Sequence, residues 1–226
     1  MKYRHYILVA IAALLTACGK PAAQVPDQYT QVEEQANIYP DYTDVVVPPN
    51  IAPLNFIVRD SLADGFVAQL QGNGVELLAS AGKDGVVQLD MAQWKKLLAS
   101  SKGADVSVTI YAKRGEKWCA YQPYKLTVAE EPVDAFLSYR LIPPSYELYR
   151  QLGIYQRNLT NWDVHTIYEN NREFDDKENH CINCHNYRCN SSSDMLFHVR
   201  ANHGGTVIIQ NGKAHKVQMK DSTIIT

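Results

Sequence analysis

The stretch from His180 to Cys189, HCINCHNYRC, places three thiols and two imidazoles within ten consecutive positions. Inside it, Cys181, Cys184 and His185 form a CxxCH pattern, the pattern by which a c-type haem is attached covalently. The two thiols would add to the two vinyl groups of one porphyrin, and the imidazole would reach the iron from the proximal side. The pattern therefore predicts haem c at this segment.

Three side chains downstream are candidates for the sixth ligand of the iron: Met195, His198 and His203. A thioether ligand would raise the reduction potential of the haem. The chain contains neither a nucleophile elbow nor a glycine-rich phosphate loop. The expected role is therefore electron transfer or another haem-linked function without an enzymatic active site, which implies a redox partner.

Two alternatives remain open for the same residues. A tetrahedral zinc site could be formed by Cys181, Cys184, His185 and Cys189, or by His180 in place of one of them. Alternatively, a disulfide from Cys181 to Cys184 or to Cys189 would make the segment a structural staple. The protein would then be a non-catalytic scaffold that binds a partner protein.

The start of the chain has the pattern of an export signal. A short basic beginning is followed by an apolar run over residues 6–15, roughly 10 residues where a membrane span needs about 20. The run ends in LTAC, residues 15–18, which resembles the bacterial lipobox. We therefore expect residues 1–17 to be a signal peptide and Cys18 to carry several acyl chains, which anchor a protein stably in a membrane.

Export determines how the remaining thiols are interpreted. Disulfides persist in an oxidising compartment, so Cys119 and Cys189 are a candidate disulfide pair if haem occupies Cys181 and Cys184. No acidic cluster follows Cys18, which favours an anchor in the cell envelope that faces the periplasm.

The composition is that of a globular protein with many strands. The 22 Lys and Arg residues against 24 Asp and Glu give a net charge of −2, so there is no basic excess for binding nucleic acid. The 14 tyrosines against 5 phenylalanines favour strands, where tyrosine packs well and keeps a polar end. The sequence therefore predicts a mainly-β fold.

The chain divides by pattern into three parts after the signal. Residues 18–37 are polar and predict a flexible tether. Residues 38–128 alternate in the manner of strands, include a hairpin around Gly72-Asn73-Gly74, and contain one helix over residues 90–100 with Asp90 as its N-cap. They predict a small β-sandwich-like domain, and residues 129–226 form a second part that carries CxxCH.

The second part contains two further predicted elements. Residues 195–201 predict a short helix with Ser193 as its N-cap. Residues 206–219 predict a hairpin around Asn211-Gly212-Lys213.

Several strings in the chain resemble a family of exported lipoproteins that have a TolB-like, WD-repeat-like β-propeller and are often described as related to cytochrome c. The strings are FLSYRLI (136–142), GIYQRNL (153–159), CINCHN (181–186), MLFHVR (195–200) with GGT (204–206), YPDYTD (39–44) and PPNIAP (48–53).

The resemblance implies that a propeller begins near Phe136 and that CxxCH lies in or beside its first blade. It also implies that this chain holds the N-terminal portion only, so that residues 129–226 comprise the CxxCH segment and a partial blade.

Overall fold

The computed structural model describes residues 23–142, 144, 152–170, 180–191, 193–201 and 203–217. These residues form strands and one α-helix, so the predicted mainly-β fold class is confirmed. The chain divides into two compact units, one running to Pro49 and resuming over Pro53–Glu131, the other comprising Asn50–Ala52 and the chain from Pro132 onward. The signal peptide and Cys18 lie outside the described residues. Among the helices that are described, none is both long and apolar enough to cross a membrane.

The described residues of the first unit form ten strands and helix α1. The elements are β1 (Thr30–Gln35), β2 (Ile38–Tyr39), β3 (Val45–Val47), β4 (Phe56–Val58), β5 (Gly65–Gly72), β6 (Val75–Ala81), β7 (Val86–Val87), α1 (Met91–Ser100), β8 (Asp105–Arg114), β9 (Lys117–Gln122) and β10 (Tyr124–Val128).

Strand β8 is the centre of a seven-stranded sheet. One of its edges pairs with β5, which pairs in turn with β6, and its other edge pairs with β10 and then β9. Parallel strands β1 and β3 extend the sheet beside β9 and β10. A separate three-stranded sheet has the order β2-β4-β7.

The core of this unit follows from the alternation along β8. Val106, Val108 and Ile110 are buried on one face, because successive side chains of a strand point to opposite faces. Helix α1 packs on β5 and β6 and buries Trp94 completely. Asp90 accepts a hydrogen bond of 2.9 Å from the backbone N–H of Gln93, so the predicted helix and its N-cap are confirmed.

The predicted flexible tether over residues 18–37 is wrong for Thr30–Gln35, which forms β1. The strand is polar and mostly exposed, so it has none of the apolar alternation that would identify it. Its order comes from parallel pairing with β9 and from the side chain of Gln31, which donates to the carbonyl of Tyr121 over 3.1 Å.

The described residues of the second unit form seven strands. They are β11 (Phe136–Leu141), β12 (Gly153–Asn158), β13 (Val164–Glu169), β14 (His180–Tyr187), β15 (Met195–Ala201), β16 (Gly205–Gln210) and β17 (Lys213–Val217). Strands β11-β12-β13 form one antiparallel sheet and β14-β15-β16-β17 form another, each in the order of the chain. The described strands do not close into a barrel or a propeller ring.

The helix predicted over residues 195–201 is wrong, because this segment is strand β15. Met195, Phe197 and Val199 are buried and Leu196 is exposed, a period of two that places one face against apolar neighbours. The predicted hairpin around Asn211-Gly212-Lys213 is confirmed by the pairing of β16 with β17.

An apolar cluster joins the two sheets of the second unit. Its buried members are Leu152, Ile154, Ile182, Met195, Phe197 and Val199. They come from both sheets, so each sheet covers the apolar face of the other. Burial of this kind is the main favourable contribution to folding.

A polar network in the first unit joins the β4–β5 connection to β8 and β9. One oxygen of Asp60 accepts from Arg114 Nε at 3.0 Å and from the Tyr121 hydroxyl at 2.9 Å, and the carboxylate is almost fully buried. Burial alone would raise the pKa of Asp60, but hydrogen bonds from the Leu62 N–H, Tyr121 and Arg114 and the guanidinium charge lower it below its usual range. The network therefore stabilises the ionised carboxylate.

Replacement of Asp60 by Asn should lower the free energy of unfolding at pH 7 by about 1.5–3 kcal/mol, as expected for hydrogen bonds to a charged group. Because the pKa of Asp60 is lower in the folded state, its contribution is present above about pH 4 and is lost as the pH falls further. The difference between wild type and Asp60→Asn in urea unfolding should therefore shrink at pH 3. The matched control is Asp64→Asn, whose exposed pair with Lys83 spans 3.9 Å and should matter little; an equal loss in both variants would contradict this account.

Gly72, at the end of β5, is held against the end of helix α1. A Cβ atom at this position would lie 2.3 Å from Ser101 Oγ and 2.8 Å from Val106 Cγ2. We therefore expect Gly72→Ala to cost about 1–3 kcal/mol through overpacking, measured by urea unfolding. Gly82→Ala is the control, since the nearest atom to its Cβ would be 3.7 Å away. Equal midpoints for the two variants would show that the close approach at Gly72 is not limiting.

Candidate functional site

The CxxCH segment lies on strand β14, at an edge of the four-stranded sheet. Strand β14 pairs with β15, and the register shifts between Asn183 and His185. Cys184 is the extra residue of this bulge and has φ +56°, a left-handed conformation that is uncommon outside glycine. The two thiols and the imidazole are thus held by a bulged strand.

The pairing with β15 fixes the face on which each side chain lies, because directly opposed residues share a face. Ile182 opposes Val199 and His185 opposes Phe197, so both lie on the inner face, towards the apolar cluster. Cys181 opposes Arg200 and therefore lies on the outer face. Cys181 and His185 are on opposite sides of the sheet.

His185 is half-buried in the layer between the two sheets. Its ring makes an edge contact with Tyr187, with the ring centroids 6.2 Å apart. Burial lowers the pKa of His185 below its ordinary value, and the positive charge of Arg140 on β11 lowers it further. Both effects favour the neutral imidazole over the imidazolium.

Two of the three candidate distal ligands, Met195 and His198, lie on different faces. Met195 is 7% exposed and belongs to the apolar cluster, so its thioether is part of the core. His198 lies on the outer face, and its Nδ1 is 3.3 Å from the hydroxyl of Thr206. The sheet itself separates His198 from His185. The third candidate, His203, lies between β15 and β16, and its carbonyl accepts a 3.3 Å hydrogen bond from Lys216 Nζ.

These placements do not fit a haem c. Covalent attachment requires both thiols of CxxCH and the following imidazole to reach one porphyrin, whereas Cys181 and His185 are on opposite faces of β14. Met195 lies on the same face of the sheet as His185. Two side chains that project from one face of a sheet cannot bind an iron from opposite sides. Haem attachment at Cys181 and Cys184 thus stays a prediction that requires β14 to leave its place beside β15.

None of the four described cysteines takes part in a disulfide. Cys119 is buried in β9, and its Sγ is 3.5 Å from the carbonyl oxygen of Ala112, the environment of a small apolar core residue. Cys189 is exposed in the second unit and has φ +50°. The candidate pair Cys119–Cys189 is not joined in this structure, nor is Cys181 joined to Cys184 or Cys189.

The zinc alternative also lacks a formed site. Within the described part of the chain, no three His, Cys, Asp or Glu side chains are grouped so that they could hold a metal ion. The side chain of His180 lies outside the described part. Cys181, Cys184, His185 and Cys189 are therefore not gathered into a tetrahedral set by this fold.

Asn170 holds β14 in place and has no signal in the sequence. It is fully buried, its Oδ1 accepts from the Ile182 N–H at 3.1 Å, and its own N–H donates to the carbonyl of Leu152 at 3.0 Å. It lies in a polar stretch of the sequence, where no pattern distinguishes it from the other asparagines. Its role becomes visible only when β12 and β14 are placed together.

A concave site on the outer face of the four-stranded sheet was also not predicted. Leu196 and Ile208 oppose each other on β15 and β16 and are 42% and 38% exposed. They belong to a cavity of about 380 Å³ whose other lining residues are Asn186, Tyr187, Arg188, Asp194, Met195 and Gln210. The sequence analysis does not predict this cavity, because Leu196 and Ile208 oppose each other only if residues 195–201 form a strand and not the predicted helix.

The position of His185 predicts a pH dependence. Because the pKa of His185 is lower in the folded state, the unfolded chain binds a proton at a higher pH than the folded chain does. The free energy of unfolding therefore decreases as the pH falls below about 6.5, by at most about 1.4 kcal/mol per pH unit. Hydrogen exchange of the β14–β15 amides, corrected for intrinsic rates, should show this loss between pH 7.5 and pH 5.5. It should be absent in His185→Gln and retained in the control His215→Gln, at an exposed position of β17. The same loss in His185→Gln as in wild type would contradict the assignment.

Comparison with known proteins finds no protein-family model that matches the chain and no curated protein with significant similarity to it. The resemblance to exported propeller lipoproteins therefore depends on the short strings described above.

Proposed function

We propose that this protein is a lipid-anchored, non-catalytic scaffold of the bacterial cell envelope that binds an extended segment of a partner protein. The observation that carries the proposal is the cavity on the outer face of β14–β17. The segment it would hold is apolar in part and acidic in part.

The apolar preference comes from the cavity lining. Leu196 and Ile208 contribute the exposed apolar surface, and Tyr187 and Met195 adjoin it. The volume of about 380 Å³ is within the range of pockets that bind ligands. Polar groups of Asn186 and Gln210, with the ion pair of Arg188 and Asp194, surround it. An apolar core with a polar rim is the usual anatomy of a recognition site.

The acidic preference comes from the net charge of the segment that carries the cavity. Residues 180–217 contain Arg188, Arg200, Lys213 and Lys216 but only one acidic residue, Asp194. Four positive charges against one negative give this segment a net charge of +3, whereas the whole chain has −2. Complementary charge favours and orients association with an acidic segment.

The architecture supports a scaffold. We infer that the first unit is a β-sandwich-like domain, since a three-stranded sheet and a helix accompany its large sheet. We infer that the second unit is built from propeller-type blades. The support is that β14–β17 is a four-stranded antiparallel meander whose inner face packs on another meander, the packing used between blades.

The placement in the envelope is supported by the N-terminal pattern. Signal and lipobox would put the acyl chains on Cys18, and the anchor would face the periplasm. Strand β1 begins at Thr30, so only a short segment of chain separates the folded unit from the proposed anchor at Cys18. The proposed scaffold is therefore held near the membrane surface.

The peptide proposal is tested with a displayed library of random peptides selected on the full chain. Enriched peptides should be acidic and apolar. By fluorescence anisotropy, they should bind Ile208→Glu at least about tenfold more weakly than wild type, a loss of about 1.4 kcal/mol.

Val164→Glu is the matched control, since Val164 is 44% exposed on the other sheet of the same unit. Binding to this variant should be unchanged. Enrichment of peptides that bind wild type and Ile208→Glu equally, or no enrichment at all, would refute the cavity as the binding site.

A further inference from the structure

Among the described strands, β11 is an edge strand whose one protective feature is the charge of Arg140. The other three described edge strands of the second unit each have a protective feature. Strand β14 has a bulge at Cys184, and the N–H of Ile182 donates to Asn170. Strand β13 has a register shift opposite β12, and β17 carries Lys213 and Lys216. Bulges and lysines on edges prevent strands of different molecules from pairing. Strand β11 pairs with β12 over all six residues without a shift and contains neither lysine nor proline.

Apart from Arg140, the exposed side chains of β11 are apolar. Leu137 and Leu141 are each 52% exposed, as is Ile142 directly after the strand, and Phe136 is 43% exposed. An exposed, regular, apolar edge of this kind is a template for another strand.

We propose that two copies of this chain pair β11 with β11 in antiparallel orientation and so form one continuous six-stranded sheet. This interaction is independent of the peptide site proposed above, which lies on the other sheet.

The direction of the backbone groups selects the register. The N–H of Leu159 donates to the carbonyl of Ala135, so alternate residues of β11, including Tyr139, direct their backbone groups towards β12. The groups of Phe136, Ser138 and Arg140 then point to the free edge. A twofold axis at Tyr139 lets Ser138 exchange two hydrogen bonds with the partner's Arg140.

The same register pairs the exposed side chains. On the outer face, Leu137 lies opposite the partner's Leu141, and Tyr139 lies opposite the partner's Tyr139. Tyr139 already stacks on Tyr155, with ring centroids 5.8 Å apart and an interplanar angle of 26°. The stack would therefore continue across the axis through four tyrosine rings, and cross-strand aromatic pairs contribute roughly 0.2–1 kcal/mol each.

Charge and area agree with a weak dimer. Arg140, the only charged residue of β11, lies opposite the partner's Ser138, so no like charges are directly opposed. If a large side chain exposes roughly 150–200 Å² in full, the four half-exposed apolar side chains bury roughly 600–800 Å² in total from both copies. With the backbone edge added, the interface approaches the lower limit of roughly 1,200 Å² for stable complexes.

The register is tested by cysteine cross-linking in intact bacteria that express the full chain. In a Cys184→Ser/Cys189→Ser background, Tyr139→Cys should form a disulfide-linked dimer on oxidation. The two Cα atoms would be about 4.5 Å apart in a pair without hydrogen bonds, and disulfides span about 4.4–6.8 Å. Lys213→Cys, on the protected edge β17, is the matched control and should stay monomeric.

A second variant separates the interface from folding. Addition of Leu141→Lys to the Tyr139→Cys protein should reduce the cross-linked fraction at least fivefold, whereas addition of Val164→Lys should leave it unchanged. Equal cross-linking at positions 139 and 213, no cross-linking at 139, or full cross-linking in the presence of Leu141→Lys would overturn the proposal.

Discussion

In the second unit, Ile154 of one sheet and Ile182 and Phe197 of the other belong to one apolar cluster, and this contact sets the orientation of the whole CxxCH strand. A strand has a period of two, so burying Ile182 directs Cys181 to the opposite face. The bulge at Cys184 changes the phase once, and His185 therefore returns to the inner face beside Phe197. Attachment of a haem would require Cys181 and His185 on the same side of the strand, whereas packing of the apolar cluster places them on opposite sides.

The same contact leaves two surfaces that account for the proposed interactions. Once Met195 and Phe197 are turned inward, Leu196 and Ile208 must lie outward, where they line the cavity. Once the inner face of the β11–β13 sheet is covered, Leu137 and Leu141 remain on its outer face at an edge. Exposed apolar groups in such positions mark sites of interaction more often than single exposed leucines do.

Much of the first unit could be predicted because local signals and long-range packing agree there. The alternation over β8, the N-cap at Asp90 and the glycine turn at residues 72–74 each predict the element that forms. Strand β1 could not be predicted, because a polar edge strand is ordered by backbone pairing with β9 rather than by its own pattern. The short apolar run of residues 195–201 satisfies both the helical and the strand period, so it predicts a helix as readily as a strand, and only pairing with the neighbouring sheet favours the strand.

The chemistry of the candidate site was less predictable than its location. Cysteine and histidine spacing identifies CxxCH in any chain, but it does not specify whether the segment is a helix, a loop or a strand, and a bulge at a non-glycine residue has no sequence signal. In the structure, His185 lies between the two sheets and Cys181 lies on the outer face, an arrangement that the spacing of CxxCH does not indicate. The role of Asn170 depends on contacts between residues far apart in the sequence.

Because folded β14 keeps Cys181 and His185 on opposite faces, we expect that no haem c is attached to it. The direct measurement is the intact mass and the pyridine haemochrome spectrum of the full chain, produced in a bacterium with c-type haem maturation. The polypeptide mass should contain no haem, and no haemochrome should form. A covalent haem that is absent from Cys181→Ala/Cys184→Ala would overturn this expectation and show that β14 adopts a different structure in the mature protein.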